Sequence, residues 1–153
     1  AFPNSFSFVI GGDGPEREHV QKAIVSYGMQ QKIALLGKQE NSAEFLAGID
    51  VFLMTSSTEG LPLTLIEALQ QGCFPAIAIQ SGLIEIPLDK MGVRFSLDNP
   101  EPIFDFLSYL ISLPKSKIKE LQLENRNIIL GKFDFAQYIN TLTDYYSKAE
   151  LSA

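Results

Sequence analysis

Apolar residues in this chain fall into short blocks separated by turns rich in glycine and proline. Ser7-Phe8-Val9-Ile10 is a β-branched and aromatic run that reads as a strand, and Gly11-Gly12-Asp13-Gly14-Pro15 breaks it sharply. From Glu16 to Tyr27 the spacing turns helical, with Val20, Ala23, Ile24 and Tyr27 on one face. Pro15 suits the first helical position, Glu16 and Glu18 suit its positive end, and Gly28 suits its stop. Ile33 to Leu36 is a second strand, ended by Gly37. Asn41-Ser42 is placed to cap a short helix reaching Leu46 or Ala47. Val51 to Met54 is a third strand, Pro62 to Gln71 a helix stopped by Gly72, and Phe74 to Ile79 a fourth strand. Val93-Arg94-Phe95 is a short fifth strand.

Strands therefore alternate with helices, and several strands are apolar throughout rather than on alternate residues. Strands of that kind are covered on both faces, as in a parallel sheet. With right-handed crossovers the expected fold is α/β, a doubly wound parallel sheet. The last third differs: Ile103 to Leu113, Lys115 to Leu130 and Phe135 to Lys148 read as three closing helices. Pro114 separates the first two, and Gly131 to Asp134 separates the last two, with Asp134 as an N-cap.

Composition narrows the class. The 153 residues make one domain's worth of chain, and 46% apolar content is enough for a real core. A net charge of −6 argues against a nucleic-acid surface or a domain-wide anionic-membrane surface, while leaving room for a local anion pocket. One cysteine, Cys73, permits no internal disulfide and fits a reducing compartment. No apolar run approaches the ~20 residues of a membrane span. The start, Ala1 to Ser5, lacks the basic and apolar regions of a signal peptide and reads as an arrival from something upstream.

Candidate chemistry centres on Glu59-Gly60-Leu61-Pro62-Leu63-Thr64-Leu65-Ile66-Glu67. Strand, polar loop and helix start follow one another here, and open α/β sheets bind ligands at such places. With a helix beginning near Pro62, the amides of Leu63 and Thr64 lie in its first turn and favour an anion such as phosphate. Proline has no amide to add. Glu67 lies ~7 Å further along the axis, where a carboxylate could accept two hydroxyl protons, as from a ribose. Glu59 points into the same mouth from the loop, and Gly60 permits close approach of a ligand. Thr64, Glu67 and Gln71 also fall at helical spacing, so the same residues fit the wet stripe of an amphipathic helix.

Other groups say less. The turn Gly11 to Pro15 sits where phosphate loops sit, but it is neither a full GxGxxG nor a P-loop, and a plain tight turn fits it as well. Leu36-Gly37-Lys38 follows a strand, so its backbone could read a base edge and Lys38 meet an anion; a surface loop is the alternative. His19 reads as a solvated surface residue and Cys73 as a small core filler. Lys115, Lys117 and Lys119 read as a solvated face. No HxxxH, CxxC or carboxylate cluster with metal spacing occurs, so no metal is expected, and there is no GxSxG nucleophile motif.

Taken in order, Phe8 to Glu16, Leu35-Leu36-Gly37, Ala47 to Leu53, Ser57 to Leu63, Glu67-Ala68-Leu69 and Gly72 to Pro75 resemble the C-terminal, donor-binding half of family-4 glycosyltransferases. These are retaining enzymes of the GT-B fold, and the two glutamates match their E-x7-E motif in spacing and neighbours. Ser81 to Glu85 and Gly92 are similar to the next segment. The resemblance implies a Rossmann-like domain with C-terminal helices that binds a nucleoside-diphosphate sugar. It gives Glu67 the ribose hydroxyls and sets Glu59 against the donor sugar or leaving diphosphate, as the catalytic group. Gly60, Leu61, Leu63 and Thr64 would offer backbone contacts to sugar and phosphate. Leu36, Gly37 and Lys38 would sit by the base, and Gly12 would line the cleft. Such enzymes usually need no bound metal. The implied activity is a hexosyl-type transfer to a saccharide or lipid-linked acceptor in bacterial polysaccharide synthesis. It would be cytoplasmic, with peripheral membrane contact in the full-length enzyme.

Two departures limit the match. The family's Arg and Lys that grip the diphosphate lie upstream of the first strand here, and so does the acceptor-binding N-terminal domain. The chain is thus expected to be a single donor-binding domain over 1–153, a fragment without its first strand and helix and inactive alone. The glycine pair often seen before Glu85 is Ser81-Gly82 here. A nucleotide-sugar epimerase of the same fold and a non-catalytic interaction domain remain the alternatives.

Overall fold

The computed structural model of the chain describes residues 6–56, 62–78, 87–133, 139–141 and 143–144. It forms two compact units, Ala1–Gly48 and Ile49–Ala153.

The first unit runs β1 (Phe8–Gly11), α1 (Arg17–Ser26), β2 (Ile33–Gly37) and α2 (Ser42–Ala47). β1 and β2 pair in parallel, from Phe8 opposite Ile33 to Gly11 opposite Gly37, with an irregularity after Ile10. Such pairing needs a crossover, and α1 supplies it. The first turn of α1 closes from Gly14 O, which accepts from Arg17 N at 3.1 Å, so Pro15 precedes the helix rather than opening it. Ile24 on α1 and Leu46 on α2 are the buried apolar residues of this unit. Tyr27 corrects the expected apolar face, because it is 81% exposed. Tyr27 is the C-cap, its N–H still donating to Ala23 O at 3.0 Å, and the chain turns away at Gly28 with φ +66°. Asn41 caps α2 as expected: its Oδ1 accepts from Glu44 N at 3.1 Å.

The second unit runs β3 (Val51–Met54), α3 (Leu63–Gln70), β4 (Phe74–Ala78), α4 (Leu88–Met91), β5 (Val93–Phe95), α5 (Glu101–Ser112) and α6 (Lys115–Lys132). Its strands lie in the order β3-β4-β5, all parallel, with every residue of the central strand buried. Pro75 in a central strand is unusual, since proline gives the ladder no N–H. β5 begins pairing only at Ala76, so Pro75 lies beyond the end of that ladder. Met54, Leu65, Leu69, Ile77, Leu88, Met91 and Ile129 form one buried cluster, which places α3 and α6 over the sheet.

Parallel strands joined by helices in both units make the fold α/β and Rossmann-like, although only β4 is covered on both faces and the apolar strand β1 is exposed along its length. α5 and α6 match two of the three expected closing helices. The third falls mostly outside the described residues, with helix at 139–141 and 143–144. α4 was not anticipated; four residues are too few to show a period.

Candidate functional site

The first candidate group stands at the start of α3. Pro62 is extended, with φ −71° and ψ 120°, and is the N-cap rather than a helical residue. Its carbonyl accepts from Leu65 N at 3.1 Å and Ile66 N at 3.3 Å. The amides of Leu63 and Thr64 therefore precede the first intrahelical donor, Leu65 N, and both residues are exposed. One face of α3, Leu65, Ala68 and Leu69, is completely buried. Glu67 sits beside that face, half-buried, and its carboxylate has no ion pair or hydrogen bond among the described residues. A carboxylate partly withdrawn from water without a partner is one that a ligand's hydroxyls can satisfy. Glu59, Gly60 and Leu61 lie outside the described residues, as do Ser81, Gly82 and Glu85.

The second group is at the C-terminal ends of β1 and β2. Gly12 N donates to Gly37 O at 2.7 Å, so these two predicted residues are joined directly. Gly12 has φ +142° and Gly37 φ +70°, backbone that favours glycine at both ends of the bond. Leu36 is 49% exposed beside them. The Lys38 side chain is 78% exposed, with Nζ 3.9 Å from Glu40 Oε1, a solvated pair of little weight. Before the helix, Asp13 Oδ1 accepts from Gly14 N at 2.9 Å and stiffens the glycine turn.

These contacts bring Gly12, Leu36, Gly37 and Lys38 to one strand edge in the first unit. Leu63, Thr64 and Glu67 occupy one helix start in the second. Gln39, which sequence reasoning passed over, belongs with the strand edge: its Nε2 donates to Leu36 O at 3.1 Å and to Gly37 O at 3.2 Å. Its only signal in the sequence is a glutamine two residues past a strand-ending glycine.

The readings of His19, Lys117 and Cys73 hold. His19 is solvated, with Nδ1 3.9 Å from Glu16 Oε2 and both side chains 80% exposed. Lys117 pairs with Glu120 at 2.7 Å on an open helix face. Cys73 is buried, with Sγ donating to Ile49 O at 3.2 Å. Burial pushes its thiol up to about 11; a backbone hydrogen bond pulls the other way and Asp50 adds to the rise. Among the described residues no group of three or more His, Cys, Asp or Glu is placed to hold a metal, and no helix is long and apolar enough to cross a membrane. A cavity of about 280 Å³ behind β4, lined by Phe74, Phe106, Tyr109 and Asn125 among others, includes none of the predicted residues. Asn125 is fixed there by donating to Met91 O at 2.9 Å, which suits packing between helices.

The fold and the positions of these groups define a Rossmann-like α/β domain with open backbone groups at its strand and helix ends. The family model for glycosyl transferases group 1 matches residues 3–104, and the chain belongs to that family. An O-antigen biosynthesis glycosyltransferase, WclY of Escherichia coli, is 26% identical over 102 residues, 67% of this chain and 29% of its own length. The UDP-Gal:alpha-D-GlcNAc-diphosphoundecaprenol alpha-1,3-galactosyltransferase of Escherichia coli is 26% identical over 144 residues, 91% of this chain and 36% of its own. The chain thus spans about a third of the length of these curated relatives. In fold it is similar to Anabaena HepE in complex with UDP, with a TM-score of 0.81 and 17% identity over 95% of this chain and 42% of that one. This is the GT-B type of fold expected from the ordered motifs.

Proposed function

We propose that this chain is the donor-binding domain of a retaining, family-4 type glycosyltransferase, and that it holds a nucleoside-diphosphate sugar. The observation that carries this reading is Glu67: a half-buried carboxylate with no partner among the described residues, one turn beyond the open amides of Leu63 and Thr64. A helix start offers N–H groups and a positive dipole end to phosphate, and a carboxylate one turn on offers acceptors to ribose hydroxyls. Together they suit the two ends of one ligand. In this reading Leu63, Thr64, Gly60 and Leu61 receive sugar and phosphate, and Glu59 is the catalytic group facing the reacting end. Gly12, Leu36, Gly37 and Lys38 flank the base. Helix amides and cationic groups elsewhere in the enzyme stabilise the leaving diphosphate without a metal.

The relatives support this direction. One is named for transfer from UDP-galactose to a diphosphoundecaprenol-linked sugar, and HepE was solved with UDP and with UDP-glucose. Transfer of a hexosyl group to a saccharide or lipid-linked acceptor follows, with the acceptor bound by a separate N-terminal domain of the full-length protein.

The test uses the full-length protein, a panel of UDP-, GDP- and ADP-sugars and a saccharide acceptor. The expected product is a glycoside whose anomeric configuration matches the donor's. An inverted product contradicts the retaining mechanism, and a free epimer with no glycoside contradicts transfer itself.

A further inference from the structure

Gln39 ties together the backbone that flanks the base in the proposed site. Its Nε2 lies 3.1 Å from Leu36 O and 3.2 Å from Gly37 O. Two carbonyls around one atom identify that atom as the NH2 end of the carboxamide, because an oxygen there would face two acceptors. Gly37 O also accepts from Gly12 N at 2.7 Å, so both of its lone pairs are in use. The half-buried stem of Gln39 crosses the end of β1. A Cβ on Gly11 would come within 3.1 Å of Gln39 Cγ and 2.9 Å of the Phe45 ring, so only a bare glycine admits both side chains. Gln39 thereby braces the turn after β2 while its stem packs close to Gly11 at the end of β1.

This has a consequence for recognition. Gly37 O, with two donors, has no lone pair left for a base, and Leu36 O has one of its two engaged. The next peptide group is different: the N–H and C=O of Lys38 have no partner among the described residues. A donor and an acceptor side by side complement the edge of a nucleobase, provided the loop holds them still.

We propose that Gln39 is a positioning residue for nucleotide recognition, holding the turn after β2 through the Leu36 and Gly37 carbonyls so that Lys38 presents its open N–H and C=O to the base. The inference rests on the donor-site reading above. It adds a residue that acts through its neighbours rather than by touching the ligand.

The full-length protein and its Gln39→Met, Gln39→Glu and Glu67→Ala variants are titrated calorimetrically with UDP, GDP and ADP, and melted in parallel. Gln39→Met keeps the stem and removes the donor; it is expected to weaken the preferred nucleotide about tenfold, the effect of losing hydrogen bonds of ordinary strength. It should also narrow the preference among the three bases. Gln39→Glu keeps the shape but sets a carboxylate against two carbonyls, so its loss should be the larger. In turnover assays KM for the donor should rise while kcat stays within about twofold, because the bound donor reacts normally. Melting temperatures should stay close to wild type. If Glu67→Ala weakens binding and both Gln39 variants bind with unchanged affinity and base preference, the positioning role is wrong and the donor site stands. Equal weakening towards all three nucleotides, with preference intact, also overturns it. If the wild type binds none of the three, both readings fall together.

Discussion

Glu67, in the middle of α3, and Cys73, three residues past the helix and just before β4, show how differently burial treats two groups that carry chemistry. Cys73 is enclosed, protonated and spent on the Ile49 carbonyl. Its thiol, raised from 9.0 to about 11 in the fold, binds its proton more tightly folded than unfolded. Its contribution to stability is thus complete below pH 9 and lost as pH climbs through about 11. Denaturation from pH 8 to 11 should cost the wild type roughly 2 kcal/mol more than Cys73→Ala, and native Cys73 should resist thiol reagents at pH 8. Equal pH dependence of the two proteins would contradict the enclosed thiol. Glu67 is the opposite case, half in water and with no hydrogen bond or ion pair among the described residues. Both were legible in the sequence: a lone cysteine after a helix-stop glycine, and a charge inside a run of leucines. Gln39 was not, because its role is fixed by where two strand-end carbonyls point, and no residue pattern records that.

Strands and helices were legible wherever a period had room to show. The apolar blocks of β1 to β4 and the caps at Asn41 and Gly72 locate their elements to within a residue or two. The ends slipped where backbone geometry overrides pattern, as at Tyr27. The four residues of α4 left no trace at all. What β5 requires was also invisible in advance. Gly92, in extended backbone at φ −167°, sits so close to Pro75 that a Cβ would strike the Pro75 carbonyl oxygen and stand 2.7 Å from its Cγ. The neighbour is the backbone of a fully buried strand and cannot yield cheaply. Gly92→Ala should therefore lower unfolding stability by about 2–3 kcal/mol, read as a shifted denaturant midpoint. An unchanged midpoint would show that β4 and β5 have more slack than their packing indicates. This glycine falls in a segment that matches the family, and here its cause is steric rather than catalytic.

For the whole molecule, the α/β class followed from strands apolar on both faces, and the family from ordered motifs rather than any single one. The chain matches that family over 3–104 and spans 29% and 36% of the two relatives described. Under the proposed donor-binding role, with the acceptor held elsewhere in the full-length protein, the 153-residue chain alone should show no transfer from any nucleotide sugar. Measurable turnover by it would place both substrates on this chain. The role proposed for Glu67, accepting from the sugar hydroxyls of a nucleotide, is narrower than catalysis. It is tested most directly by the Kd of the full-length protein for UDP, GDP and ADP, measured against Glu67→Ala. Loss of a charge-assisted acceptor predicts at least a tenfold weaker Kd for the preferred nucleotide with an unchanged melting temperature. Equal affinity in the two proteins would leave Glu67 as the wet edge of a helix and contradict the donor site.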